Sequence, residues 1–279
     1  MRFLSAATLI FALAFAITAF VENNSSDRAV AETPSRNLSP SPQGAAAAPV
    51  IVELFTSEGC SSCPPADALL SALETEQSVK GADILALEEH VDYWNQQGWV
   101  DPFSSLEFTA RQQRYAEVFA HGSAYTPQMV VDGRYELVGS RSAEAMKTIF
   151  ASAAQTKAGV TVLSSGLAAN GREQWNVTVD QLGATSSEPV EIWLAITETH
   201  LHTKVDAGEN AGHDLPHAAV VRQLTKIASV DGRKQQTFSA TPSVTFSPHW
   251  KKENLRVVVF VQEKKSRHII GAASAKVNP

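Results

Sequence analysis

A strand-like run, Val50-Ile51-Val52-Glu53-Leu54-Phe55, leads directly into Cys60-Ser61-Ser62-Cys63 and then Pro64-Pro65-Ala66-Asp67-Ala68-Leu69-Leu70. Proline presets the backbone of a helix's first turn and lacks only an amide that would be unpaired there anyway, so the cysteines fall at a strand-to-helix junction. They are the only two cysteines among 279 residues. A bridge between them closes a short loop and removes little unfolded-chain entropy, so the pair is better placed to exchange electrons than to hold structure. A thiolate at this junction gains from the helix dipole.

The chain continues as a βαβ unit: a helix from Pro65 to about Val79, then a strand from Ala82 to Val91. Ser105 to Ala120 carries Leu106, Ala110, Tyr115, Val118 and Phe119 in helical spacing. Gln128 to Val131, Asp132-Gly133 and Arg134 to Val138 form a strong hairpin signal, and Ser140 to Ala154 reads as a helix. With Thr126-Pro127 immediately before the hairpin, this order is the layout of a thioredoxin-like domain, in which a proline, usually cis, packs opposite the cysteine pair. From Gly159 the texture changes to strand-length runs: Val160 to Leu163, Trp175 to Val179, Val190 to Thr197, Val220 to Val230, Gln235 to Ser239, Val244 to Ser247, Arg256 to Gln262 and His268 to Ala273. The fold expected is an α/β thioredoxin-like domain over residues 50–157, followed by an all-β, sandwich-like domain over 158–279.

Narrower blocks are also present. Val52 to Asp67 around the cysteines, His90-Val91-Asp92-Tyr93-Trp94, Gly98-Trp99, Asp101-Pro102-Phe103 and Tyr125-Thr126-Pro127-Gln128 resemble the exported thioredoxin-like family labelled domain of unknown function 1223. Gly208 to Gly212 running to Val220-Val221-Arg222, and Val261-Gln262 with Ile269 to Ala272, resemble its second-half blocks. The resemblance implies an exported thioredoxin-like half and a β-rich half, with no assigned reaction.

Roles then rest on chemistry. Cys60, nearer the loop tip, is the expected attacking thiol and Cys63 the resolving one. Glu53, a carboxylate inside an apolar strand, is the candidate proton acceptor. Pro127 completes the catalytic set, and Thr126, Tyr125, Gln128, Asp92 and Trp94 are expected to wall the substrate side. Glu58 disfavours a Cys60 thiolate, and Arg111 and Arg114 could compensate, although exposed helix charges are the default reading for both. The alternatives are a non-enzymatic binding or structural protein on the same scaffold, and a CxxC metal-binding protein. His90 and His121 lack telling spacing, and His200, His202 and His213 fall in the loop-rich stretch Thr199 to Pro216 with His217 directly after it, so neither a metal nor another cofactor is assigned. GxSxG, Walker, GxGxxG and HExxH motifs do not occur.

Met1-Arg2 and the apolar run Leu4 to Val21 look like an export signal, with Ala29-Val30-Ala31 as a cleavage site, so residues 1–31 are expected to leave a periplasmic or secreted protein. If uncleaved, the run is the one membrane attachment expected. Residues 32–49 read as a flexible Ser/Pro/Ala leader. A net charge of −6 without a basic cluster excludes nucleic acid. The partner expected is a thiol or disulfide, on a protein or a small molecule.

Overall fold

The computed structural model describes residues 47–120, 122–167 and 172–278. The expected signal, most of the expected leader and His121 lie outside the described residues. The first strand, β1 (Ala48–Thr56), starts two residues inside the stretch read as leader and runs parallel to β2 (Ala82–His90), with α1 (Pro64–Glu76) as the crossover. Alternation along β1 explains the packing on its two faces. Val50, Val52 and Leu54 meet Leu70 and Leu73 of α1 on one side. Ile51 and Phe55 point the other way, where Ile51 joins Phe108 and Phe55 joins Tyr115 of α2 (Leu106–Ala116).

The hairpin follows as β3 (Gln128–Val131) and β4 (Tyr135–Val138), with β3 antiparallel to β1, and α3 (Ser142–Ala153) returns Ala145 and Ile149 to the α1 side. Asp132 and Gly133 both take positive φ, as a two-residue hairpin turn requires. Beyond them come β5 (Gly159–Leu167), β6 (Glu173–Asp180), the single turn α4 (Leu182–Thr185) and β7 (Pro189–Glu198). A short arm, β8 (Leu201–Lys204) and β9 (Asp214–His217), precedes β10 (Val220–Asp231). The chain closes with β11 (Phe238–Ala240), β12 (Ser243–Val244), β13 (Leu255–Glu263) and β14 (Ile269–Lys276).

The strand pairing overturns the expected fold class. One mixed eight-stranded sheet runs β14-β13-β7-β10-β2-β1-β3-β4, so strands of both halves belong to it. The protein is therefore mostly β, with four α-helices among its described residues, and is not a thioredoxin-like α/β domain joined to a separate sandwich. The physical cause lies at the edge of β2: eight of its nine residues are buried, and near its end one parallel pair, Val220↔Glu88, with the Glu88 amide donating to the Ala219 carbonyl, joins it to β10. A smaller sheet of β5, β6, β11 and β12 lies over the far part of the large one, where Trp175, Val177 and Val179 of β6 pack with Ile192, Leu194, Val257 and Val259. No helix among the described residues is long and apolar enough to cross a membrane.

Candidate functional site

Beyond Thr56 the chain leaves the sheet, and Cys60 and Cys63 are joined by a disulfide with Cα atoms 5.4 Å apart. Cys63 occupies the N-cap of α1, with its carbonyl accepting from the amides of Ala66 and Asp67, and Pro64 and Pro65 fill the first helical positions. Both cysteines are fully buried, although Ser61 and Ser62 between them are exposed. An accessible Cys60 was the expectation. The loop between β8 and β9 is fastened to this turn: Asn210 Nδ2 donates to the carbonyls of Glu58 (2.8 Å) and Cys60 (3.0 Å), and the Ser61 amide donates to Glu209 Oε2. Gly208 in the same loop, at φ +77°, rests against Trp99. Sequence reading took this stretch for loop, because its strands are short and half of their residues face solvent.

Thr126 and Trp94, two of the expected substrate-side residues, are bonded to each other. The Thr126-Pro127 bond is cis, and Pro127 is buried. Gly139 lies where Leu54, Ala66 and Pro127 converge; a β-carbon there would come within 2.7 to 3.2 Å of all three, which places the proline beside the first turn of α1. Trp94 connects the two loops, donating from Nε1 to Thr126 Oγ1 at 2.8 Å and standing with its Cβ against Gly59. The other expected substrate-side residues bond to different groups. Asp92 exchanges hydrogen bonds with Thr109 of α2. Gln128 is buried between Gln112 and Glu136, and Tyr125 presents its carbonyl to Gln112.

Glu53 points to the α2 side of the sheet and is held there. Arg111 Nε donates to Glu53 Oε1 and the Tyr115 hydroxyl donates to Oε2, each at 2.5 Å. Arg111, read from sequence as an exposed helix charge, is buried. Its Nη1 reaches Gln262 of β13 at 3.1 Å, and Glu89 lies 3.4 Å from its Nε. Burial pushes the Glu89 carboxyl well up against the charge of Arg111.

The acids nearest the disulfide loop are different ones. Glu58, two residues before Cys60, is buried with Glu88 and His90 of β2, Asp101, and His217 at the end of β9. Both imidazoles aim at one oxygen, Glu88 Oε1: His217 Nδ1 at 2.8 Å and His90 Nε2 at 3.2 Å. Their outer nitrogens meet further carboxylates, His90 Nδ1 at 2.7 Å from Asp101 Oδ2 and His217 Nε2 at 3.1 Å from Glu58 Oε1. Trp99 Nε1 donates to Glu58 Oε2, the Glu58 amide to Asp101 Oδ2, and the Ala218 amide to Glu88 Oε2.

The carboxylates decide the charge of this cluster. Burial opposes a charged imidazole, but Glu58 and Glu88 outweigh it and raise His217 to about 9, as Asp101 and Glu88 raise His90. Burial likewise opposes ionisation of Glu88 and Asp101, whose histidine partners outweigh it and hold both carboxyls below their usual range. Asp67, bonded to Thr56 Oγ1 in the first turn of α1, is pushed up to about 7 by burial and by the charge of Glu88. Sequence reading missed the cluster, although Glu88-Glu89-His90 on a strand already puts Glu88 and His90 on one face.

A family described as protein of unknown function DUF1223 matches residues 51–262. No curated protein matches the chain. Among solved structures, the chain resembles a crystallised protein of Agrobacterium tumefaciens, with TM-score 0.62 and 23% identity over 83% of this chain and 96% of that one. It also resembles HBP35 of Porphyromonas gingivalis, with TM-score 0.61 and 13% identity over 84% and 77%. At these identities the likeness concerns the fold.

Proposed function

From the premise that the chain belongs to the DUF1223 family, we propose that it is a thiol–disulfide exchange protein whose reacting group is the Cys60–Cys63 bridge. One observation carries the reading: the sole cysteine pair of the chain is bridged at the mouth of α1, beside the Trp94–Thr126–Pro127 wall, across a loop too short to add much stability. A thiolate of a partner protein or small molecule attacks Cys60 Sγ, the S–S bond breaks, and Cys63 leaves as a thiolate on the N-cap of α1, where the helix dipole favours negative charge. A second partner thiolate then displaces Cys60, so the partner loses two electrons as a new disulfide and the chain gains them as a dithiol. The reverse sequence reduces a partner disulfide. A formed bridge suits the extracytoplasmic location that residues 1–31 predict.

With both sulfurs covered, exchange requires the Gly208–Gly212 segment to lift. Under native conditions dithiothreitol should reduce Asn210→Ala combined with Glu209→Ala at least about tenfold faster than the unaltered chain, since an attacking thiol needs access to the sulfur. Cys63→Ser should trap a mixed disulfide through Cys60, and Cys60→Ser should not. The burial itself favours a second reading, a structural clasp holding the Glu58 loop. Reduction that keeps pace with global unfolding in every variant would establish the clasp and sink the exchange reading.

A further inference from the structure

We infer that Glu88, His90 and His217 form a binding site for one divalent first-row transition-metal ion, with zinc the ion whose donor preferences they match. The site does not depend on the redox reading. One ligand atom from each of Glu88, His90 and His217 lies within 4.8 Å of the other two, and the three residues are buried. Two imidazoles and one carboxylate are a donor set that zinc takes with a fourth position left for water or another ligand, and bonds of about 2.0–2.1 Å imply donors about 3.3 Å apart in a tetrahedron. The separations from Glu88 Oε1, 2.8 Å and 3.2 Å, lie within about half an ångström of that value.

The surroundings are those of a ligand set. A metal-bound imidazole ordinarily donates its remote N–H to a carboxylate, which fixes the tautomer and turns the other nitrogen to the ion. Both rings have that partner here: Asp101 for His90 and Glu58 for His217. Each partner is itself held, Asp101 by the Glu58 amide and Glu58 by Trp99. Glu88 is steadied through Oε2 by the Ala218 amide, which leaves Oε1 to face the ion.

The surrounding charge points the same way. The four ring nitrogens of the pair face three carboxylate oxygens, Glu88 Oε1 being shared by both rings. A divalent cation set between Glu88 Oε1 and the nitrogens that face it has the carboxylates of Glu58, Glu88 and Asp101 around it to offset its charge. Its entry therefore adds no uncompensated buried charge.

The test uses the full chain, stripped with a chelator and dialysed against Zn²⁺ or Co²⁺. Elemental analysis should give one zinc per chain, and cobalt should show the visible bands of a four-coordinate ion. His90→Ala and His217→Ala should lose the ion. Asp101→Asn and Glu58→Gln, which keep their shape, should weaken zinc binding about 10–100-fold with an unchanged far-ultraviolet spectrum. The chain with Cys60→Ser and Cys63→Ser together should keep its zinc. An unaltered chain that takes up no zinc overturns the site, as does zinc retained by folded histidine variants or lost with the cysteines. If the histidine variants do not fold, zinc affinity unmoved by Asp101→Asn overturns it instead.

Discussion

The guanidinium of Arg111 stands among Glu53, Glu89, Tyr115, Trp193 and Phe260, and its positive charge is what lets two carboxyl groups share that interior. Both Glu89 oxygens lack a hydrogen-bond donor within normal reach. Arg111→Leu therefore leaves buried acids without compensation and should cost about 3–5 kcal/mol, read as a lower urea midpoint, with part of the loss recovered on adding Glu53→Gln. A second residue sets a dependence on acid. Burial opposes ionisation of Glu263, but the nearby His268 imidazole and hydrogen bonds from Ser266 and Ser186 outweigh it and bring the carboxyl down to about 2 from an ordinary 4.5. A depressed carboxyl stabilises the fold fully above its unfolded value and loses that contribution as pH falls through the folded one. Melting temperatures followed from pH 5 down to about 2 should drop less steeply for Glu263→Gln than for the unaltered chain. Single-residue chemistry was half legible in the sequence. Glu53 stood out as a carboxylate in an apolar strand, yet the guanidinium that claims it lies on a helix much later in the chain and could not be read from local pattern.

Among the elements, the β3–β4 hairpin was plain in the sequence because Asp132-Gly133 supplies the two left-handed positions that its turn demands. Gly133 answers a second demand: a β-carbon there would stand 1.9 Å from the Arg267 carbonyl oxygen. Gly133→Ala should therefore destabilise by about 2 kcal/mol or more, beyond the 1–2 kcal/mol of a left-handed alanine alone, in a denaturant titration. The β8–β9 arm was illegible for the opposite reason. Its strands are four residues each, alternate between exposed and covered positions, and carry polar side chains that local pattern cannot separate from loop. That arm delivers Asn210 to the disulfide loop and His217 to the acid cluster, so both candidate sites depended on an element that pattern reading passed over.

At the scale of the whole molecule, local order was readable and global pairing was not. The βαβ unit, the hairpin and most later strands follow from periodicity and turn residues, whereas the choice of β10 as neighbour to β2 is made by edge coverage between distant segments. Gln262 of β13, bonded to both Arg111 and Tyr115, ties the halves together again on the α2 side. Residues 47–157 produced alone should consequently fail to give a protease-resistant monomer, and size-exclusion chromatography should find aggregate. The same seam has a temporal side. During synthesis β2 leaves the ribosome roughly 130 residues before the segment that will lie against it, and pairing across such a span is slow because the intervening chain must first be drawn in. Until then the nascent chain presents an unpaired strand edge, the feature that makes an incompletely folded chain prone to aggregate.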